Sequence, residues 1–308
     1  MKRNARKWFL FCMTFALGLF VAGCPTADDS SSNNPPAPQE PPEEIGFYDV
    51  VIVGLGTSGH AAMAAAGDAV GSGGKVLVIE QLPNPSPMMS AGIAAADSTQ
   101  QNAAQVAGTL GYTHVTKDTL FDTLLGYSHY TANAPLVRRI VDESGRALDW
   151  LGARGLLTTL QIGSDQGYHV AHNWLNTYHT HNSGWGALRD YFTTRGGEIR
   201  LNTRATDLVM AEDGVTVVGV LADDITDPLN PKRIKIGAGK VVLCCGGYGP
   251  ATDKFKELLE LENLQFYAFG GEGNLGAGIE MAVNTAGAKR WGDHSFMLHN
   301  NLYSHLVF

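Results

Sequence analysis

The run Asp49-Val50-Val51-Ile52-Val53-Gly54-Leu55-Gly56-Thr57-Ser58-Gly59, followed by Lys75-Val76-Leu77-Val78-Ile79-Glu80, constrains this chain more than any other feature. A buried strand enters a glycine-rich turn, a helix of small residues follows through Ala61 to Ala66, and a second strand ends on an acid. Gly54 permits the tight turn, Gly56 lets a pyrophosphate approach the backbone, and Gly59 lets the helix lie close to the strand. The helix N-terminus, with Thr57 and Ser58 in its first turn, offers free N–H groups and its dipole to the phosphates. Glu80, about 20 residues beyond the glycines and followed by Gln81, is placed to accept hydrogen bonds from a ribose 2′-hydroxyl. A 2′-phosphate would be repelled there, which disfavours NADP. The pattern predicts a dinucleotide-binding βαβ unit without separating FAD from NAD.

The N-terminus is set aside before any fold reasoning. Residues Met1 to Lys7 form a basic stretch and Trp8 to Ala22 an apolar one too short to span a bilayer comfortably, which predicts a secretory signal over residues 1–23. Val21-Ala22-Gly23-Cys24 resembles the lipobox of bacterial lipoproteins, and the resemblance implies acylation at Cys24 and an exported, membrane-anchored chain. Residues 24–46, rich in Ser, Asn, Pro and Glu, read as a disordered tether. Loss of the signal removes Lys2, Arg3, Arg6 and Lys7 and shifts the formal charge from −8 to about −12, a balance that argues against nucleic acid as a partner. Of four cysteines, Cys12 and Cys24 belong to this leader. Adjacent cysteines rarely pair, so Cys244-Cys245 reads as two small apolar residues, with a redox-active pair near a cofactor as the alternative.

From residue 47 onward short apolar runs alternate with helical segments, which predicts an α/β fold around a Rossmann-like parallel sheet. One segment differs. Strand signals recur from Glu198-Ile199-Arg200-Leu201 through Thr216 to Val220 and Arg233 to Ile236, with turn residues at Asp213-Gly214 and Asp227-Pro228. They read as an inserted meander leading into the buried run Val241 to Cys245. This order resembles the FAD-binding flavoprotein family of fumarate reductases and succinate dehydrogenases. Further stretches carry the resemblance: Leu201 to Leu208, Cys244-Cys245-Gly246-Gly247-Tyr248-Gly249, Ser90-Ala91-Gly92-Ile93-Ala94-Ala95, Pro135 through Trp150-Leu151, and Gly276-Ala277-Gly278 through Ala286-Gly287-Ala288.

The resemblance implies an FAD-binding domain over residues 47–290 and the start of a substrate-capping region over 291–308, the rest of the cap lying beyond Phe308. It implies contacts to FAD from Gly54, Gly56, Thr57, Ser58, Gly59, Glu80, Gln81, Ser90, Ala91, Gly92, Ala205, Gly246 and Gly247. No histidine matches the one that attaches flavin covalently in respiratory relatives, so non-covalent FAD is expected. Ala277 stands where most relatives carry an aspartate. His299 falls close to a family histidine that binds a substrate carboxylate, while the proton-donating arginine belongs to the missing cap, so no catalytic residue is assigned. His169, His172, His179 and His181 show neither a zinc spacing nor a neighbouring carboxylate cluster, and no metal site is expected. The implied activity is FAD-mediated hydride transfer to or from a carbon–carbon bond of a small unsaturated acid, with an anionic substrate and an unidentified electron donor as partners. Two alternatives stay open: a flavin-dependent steroid or amino-acid dehydrogenase or oxidase, and a truncated, non-catalytic nucleotide-binding lipoprotein.

Overall fold

A computed structural model describes residues 40–85, 93–106, 116–156, 158–161, 171–174, 184–248, 251, 253–254, 257 and 273–290. Its elements are β1 (Glu43–Val53), α1 (Thr57–Val70), β2 (Val76–Ile79), β3 (Ile93–Ala94), α2 (Thr99–Val106), α3 (Lys117–Tyr127), α4 (Ala134–Gly152), β4 (Thr158–Gln161), β5 (Ala171–Trp174), α5 (Gly184–Thr193), β6 (Glu198–Arg200), β7 (Thr203–Met210), β8 (Val217–Asp224), β9 (Lys232–Leu243) and α6 (Ala277–Asn284). The main sheet runs β6-β2-β1-β9-β8-β7, and β3, β5 and β4 form a small antiparallel one. The first four strands of the main sheet are parallel, whereas β8 and β7 are antiparallel to their neighbours.

Val50 to Val53 of β1 and all of β2 are apolar because both faces are covered, one by α1 and α5 and the other by the meander strands with α6. Alternation sends Val51, Val53, Leu77 and Ile79 to one side, where they meet Val220, Ile236 and Met281 of α6. Ile52, Val76 and Val78 point to the other, against Met63 of α1 and Trp185, Leu188 and Phe192 of α5. Ile52, Leu77 and Ile79 have no exposure at all, and burying each stabilises the fold by roughly 2 kcal/mol. Outside the sheet, α4 is fixed by Asn133, whose side chain accepts from the Leu136 N–H while Pro135 occupies the first turn.

Three expectations change. The tether expected over residues 24–46 gives way to strand at Glu43, four residues before the boundary at 47. Glu43 and Glu44 are exposed, so no apolar pattern marks them; their backbone pairs with Ile234 and Lys235, and the Lys235 ammonium donates to Glu44 at 2.9 Å. The third meander strand and the start of the expected buried run, Val241 to Leu243, are one strand, β9, whose first half pairs with β8 and which pairs with β1 from Ile234 to Leu243; the run is only half-buried, with Val242 exposed. Finally, Glu198–Arg200 does not open the meander but pairs with β2 at the opposite sheet edge. Only Leu201 and Asn202 separate β6 from β7, and two residues span about 10 Å at most. The sheet therefore curls until its edges meet near Asn202, which takes φ +50 and accepts the Ile225 N–H at 2.8 Å.

Candidate functional site

The curl builds a cleft at the carboxyl ends of β1, β2 and β9, where an open parallel sheet offers a crevice to a ligand. Its floor is the exit of β1. The Gly54 N–H donates to Ile79 at 2.8 Å, and the Cys244 N–H donates to Val53 at 2.7 Å, so the three strand ends are tied together. Gly54 takes φ +100, and a Cβ there would lie 2.5 Å from the Cys244 carbonyl oxygen. A Cβ on Gly59 would lie 2.0 Å from the Gly54 carbonyl oxygen, so α1 rests directly on the turn before it. Gly56 is different: among the described residues nothing lies within 4 Å of where its Cβ would be. It caps α1 with extended backbone, no side chain bonds the cap, and the first turn holds no acid. The helix N-terminus thus faces the open space over Gly56 with no acid in its first turn.

Glu80, 8% exposed, closes the turn from β2. Its Oε2 accepts from the Leu55 N–H at 2.7 Å and its Oε1 from the Leu82 N–H at 2.9 Å. Each oxygen keeps a second acceptor site for a ribose hydroxyl. The Glu80 carbonyl accepts the Thr203 N–H at 2.8 Å, which brings Thr203, Arg204 and Ala205 of β7 over the cleft as one wall. Arg204 is held at the rim by Asp223, 3.2 Å away on β8. Gln81 donates to the Gly273 carbonyl at 3.1 Å and fastens the segment that leads into α6, whose Ala277 and Met281 form the facing wall.

Cys244 and Cys245 line the cleft beneath these walls as free thiols. Burial pushes the Cys244 thiol up, and burial together with the neighbouring Cys244 and Glu80 pushes Cys245 up to about 11. Both are protonated at neutral pH, the state of small packing residues rather than of a reactive pair. Next to them Gly246 takes φ +72 with the Asn274 side chain against it, and the Gly247 carbonyl accepts the Gly276 N–H at 3.0 Å.

Of the residues expected to contact a cofactor, Gly54, Gly56, Glu80, Gln81 and Ala205 line this cleft. Thr57, Ser58 and Gly59 form the first turn of α1 at its edge, and Gly246 and Gly247 form the neighbouring turn. Ser90, Ala91, Gly92, His299 and Cys24 lie outside the described residues. So do His169, His179 and His181, while His172 sits in β5. Among the described residues no group of histidine, cysteine and carboxylate side chains converges as a metal site would require. Sequence reading held Thr203 and Arg204 only within the stretch Leu201 to Leu208, and it missed Asn274 and also His60. That imidazole is fully buried behind the glycine turn, and burial holds its pKa down at about 4.

An uncapped, acid-free helix end, free space over Gly56 and a carboxylate with spare acceptor sites match a pyrophosphate and a ribose, so the cleft fits the adenosine half of a dinucleotide. A family model described as FAD binding domain matches residues 49–299. The chain is 27% identical over 207 residues to NADH:fumarate oxidoreductase of Klebsiella pneumoniae, a match covering 65% of this chain and 20% of that protein. It is 27% identical over 258 residues to vinyl phenol reductase of Lactiplantibacillus plantarum, covering 82% of this chain and 48% of that protein. The chain thus spans between a fifth and a half of the length of these relatives. Among solved structures, the open conformation of a flavocytochrome c3 fumarate reductase superposes with a TM-score of 0.63 at 23% identity, over 79% of this chain and 41% of that one.

Proposed function

This chain belongs to the FAD binding domain family, and from that premise we propose that it is the cofactor-holding part of an oxidoreductase acting on a carbon–carbon bond of a small unsaturated acid. The observation that carries the proposal is the cleft at the ends of β1, β2 and β9, with its open face at Gly56 and its buried acid at Glu80. When bound, FAD supplies the two-electron redox chemistry. The chain's own residues hold and orient it. The first-turn N–H groups of α1 take the pyrophosphate, Glu80 takes ribose hydroxyls, and the start of β7 around Ala205 takes the adenine side.

The relatives' names carry the substrate reading: fumarate and vinyl phenol each present a double bond conjugated to an activating group. An anionic acid is the favoured substrate, with His299 as one contact to its carboxylate. Electrons come from a separate donor, and an acylated Cys24 tethers the protein to a membrane on the exported side; the lipobox-like Val21 to Cys24 supports this.

The test is to take the oxidoreductase that contains this cofactor-holding part, with its leader replaced by a soluble tag, load it with FAD, reduce it and offer fumarate or a vinyl phenol. Reoxidation by fumarate supports the acid reading, and reoxidation by the vinyl phenol alone replaces it. A reduced flavoprotein indifferent to both removes the substrate claim.

A further inference from the structure

We propose that His60 is a positioning residue for the dinucleotide grip: it clamps the Gly56 carbonyl and so fixes the direction in which the Thr57 N–H is offered to a phosphate. The proposal rests on the reading that this turn holds the FAD pyrophosphate. Two donors from one residue meet on a single oxygen. The His60 backbone N–H reaches the Gly56 carbonyl at 3.0 Å, and the imidazole Nδ1 reaches the same carbonyl at 2.9 Å. A carbonyl only accepts, so Nδ1 carries the hydrogen and Nε2 is bare.

The peptide joining Gly56 to Thr57 is planar and rigid, with its C=O and N–H pointing opposite ways. Pinning the carbonyl toward the helix therefore aims the Thr57 N–H outward, on the side where Gly56 leaves space open. The ring cannot swing elsewhere. His60 has no exposure, and its ring packs at 5.2 Å from that of Trp185 on α5. Its Nε2 is buried without a partner among the described residues. Arg189, also on α5, opposes a second proton, and burial keeps the imidazole neutral down to about pH 4.

An unpaired buried nitrogen lowers stability while the clamp raises affinity, so the two properties separate in the right variants. His60→Leu removes both nitrogens at similar volume; His60→Asn keeps a donor at the Nδ1 position. In the full chain, FAD affinity is read by flavin fluorescence. In the cofactor-free protein, the Gly56 carbonyl-carbon and Thr57 amide-nitrogen resonances and the melting midpoint are recorded. His60→Leu weakens FAD binding about tenfold, the value of one lost hydrogen bond, shifts both resonances and leaves the midpoint unchanged or higher. His60→Asn restores affinity and resonances toward the parent.

The proposal is overturned if His60→Leu keeps parental affinity and resonances, or if both variants lose FAD and melting temperature together, which marks His60 as packing alone. A parent chain that takes up no FAD defeats the cofactor reading instead, and the two resonances still decide whether the clamp exists.

Discussion

Gly54, at the exit of β1, and Gly246, just past the exit of β9, both take positive φ, +100 and +72, but different things press on them. Beside Gly54 lies backbone, the Cys244 carbonyl, whereas beside Gly246 lies the end of the Asn274 side chain. The same contrast extends along each turn. Gly59 touches the Gly54 carbonyl, while among the described residues Gly247 has nothing within 4 Å of its would-be Cβ. The first turn is thus locked by main chain against main chain and cannot relax without moving a strand or a helix. The second is backed by a side chain that can rotate away. Rigid donors at the first turn suit a fixed pyrophosphate, and that is the end of the cleft this chain builds most firmly.

The sharpest way to break this contrast is at Gly59. Gly59→Ala drives a Cβ into the Gly54 carbonyl and costs about 3 kcal/mol or more, measured by denaturant unfolding, with FAD binding lost as α1 shifts. Equal stability in that variant would mean the turn is as yielding as its neighbour.

Next in size is pH. His60 has a folded pKa of about 4 against 6.5 unfolded, so between those values the unfolded chain binds a proton that the native one refuses. Stability is full above about pH 6.5 and falls by about 3 kcal/mol as pH drops toward 4. Urea unfolding across this range shows the slope in the parent and its absence in His60→Leu. The second turn contributes no such slope, since burial raises both of its thiols and they stay protonated throughout.

Gly246→Ala is a milder lesion, about 1 to 2 kcal/mol in thermal unfolding, because the left-handed φ is strained but Asn274 can give way. The smallest stability change belongs to Gly56→Ala. Its backbone is extended at φ −78, and the methyl meets open space, so unfolding changes by less than about 0.5 kcal/mol. That methyl occupies the approach of the phosphates, so FAD affinity falls about tenfold or more by fluorescence titration. Gly56 and Gly59, three residues apart, thereby separate ligand space from packing space.

Local pattern made the first turn legible in the sequence. Strand, three glycines, small-residue helix and terminal acid are contiguous, and each residue's task follows from its neighbours. What escaped depends on partners far along the chain. Gln81 meets Gly273 across 192 positions, and Thr203 reaches the cleft only because the sheet curls until β7 meets the end of β2. The start of β1 escaped because Glu43 and Glu44 join the ladder through their backbones and leave no apolar trace. His60 escaped for the opposite reason: one imidazole in an alanine-rich helix carries no spacing, and its meaning appears only with both donors seen on the Gly56 carbonyl. Glu80 was legible as the acid that ends β2, but not as the group that holds the Leu55 and Leu82 N–H groups.

The central claim is that the cleft bounded by Gly56, Glu80 and Ala205 holds FAD, and the visible absorbance of the chain from residue 41 onward, incubated with FAD and freed of unbound flavin by gel filtration, tests it most directly. The account predicts oxidised-flavin bands travelling with the protein at about one flavin per chain in the parent, and a marked loss of them in Gly56→Ala at unchanged melting temperature. A folded, colourless parent protein would contradict it.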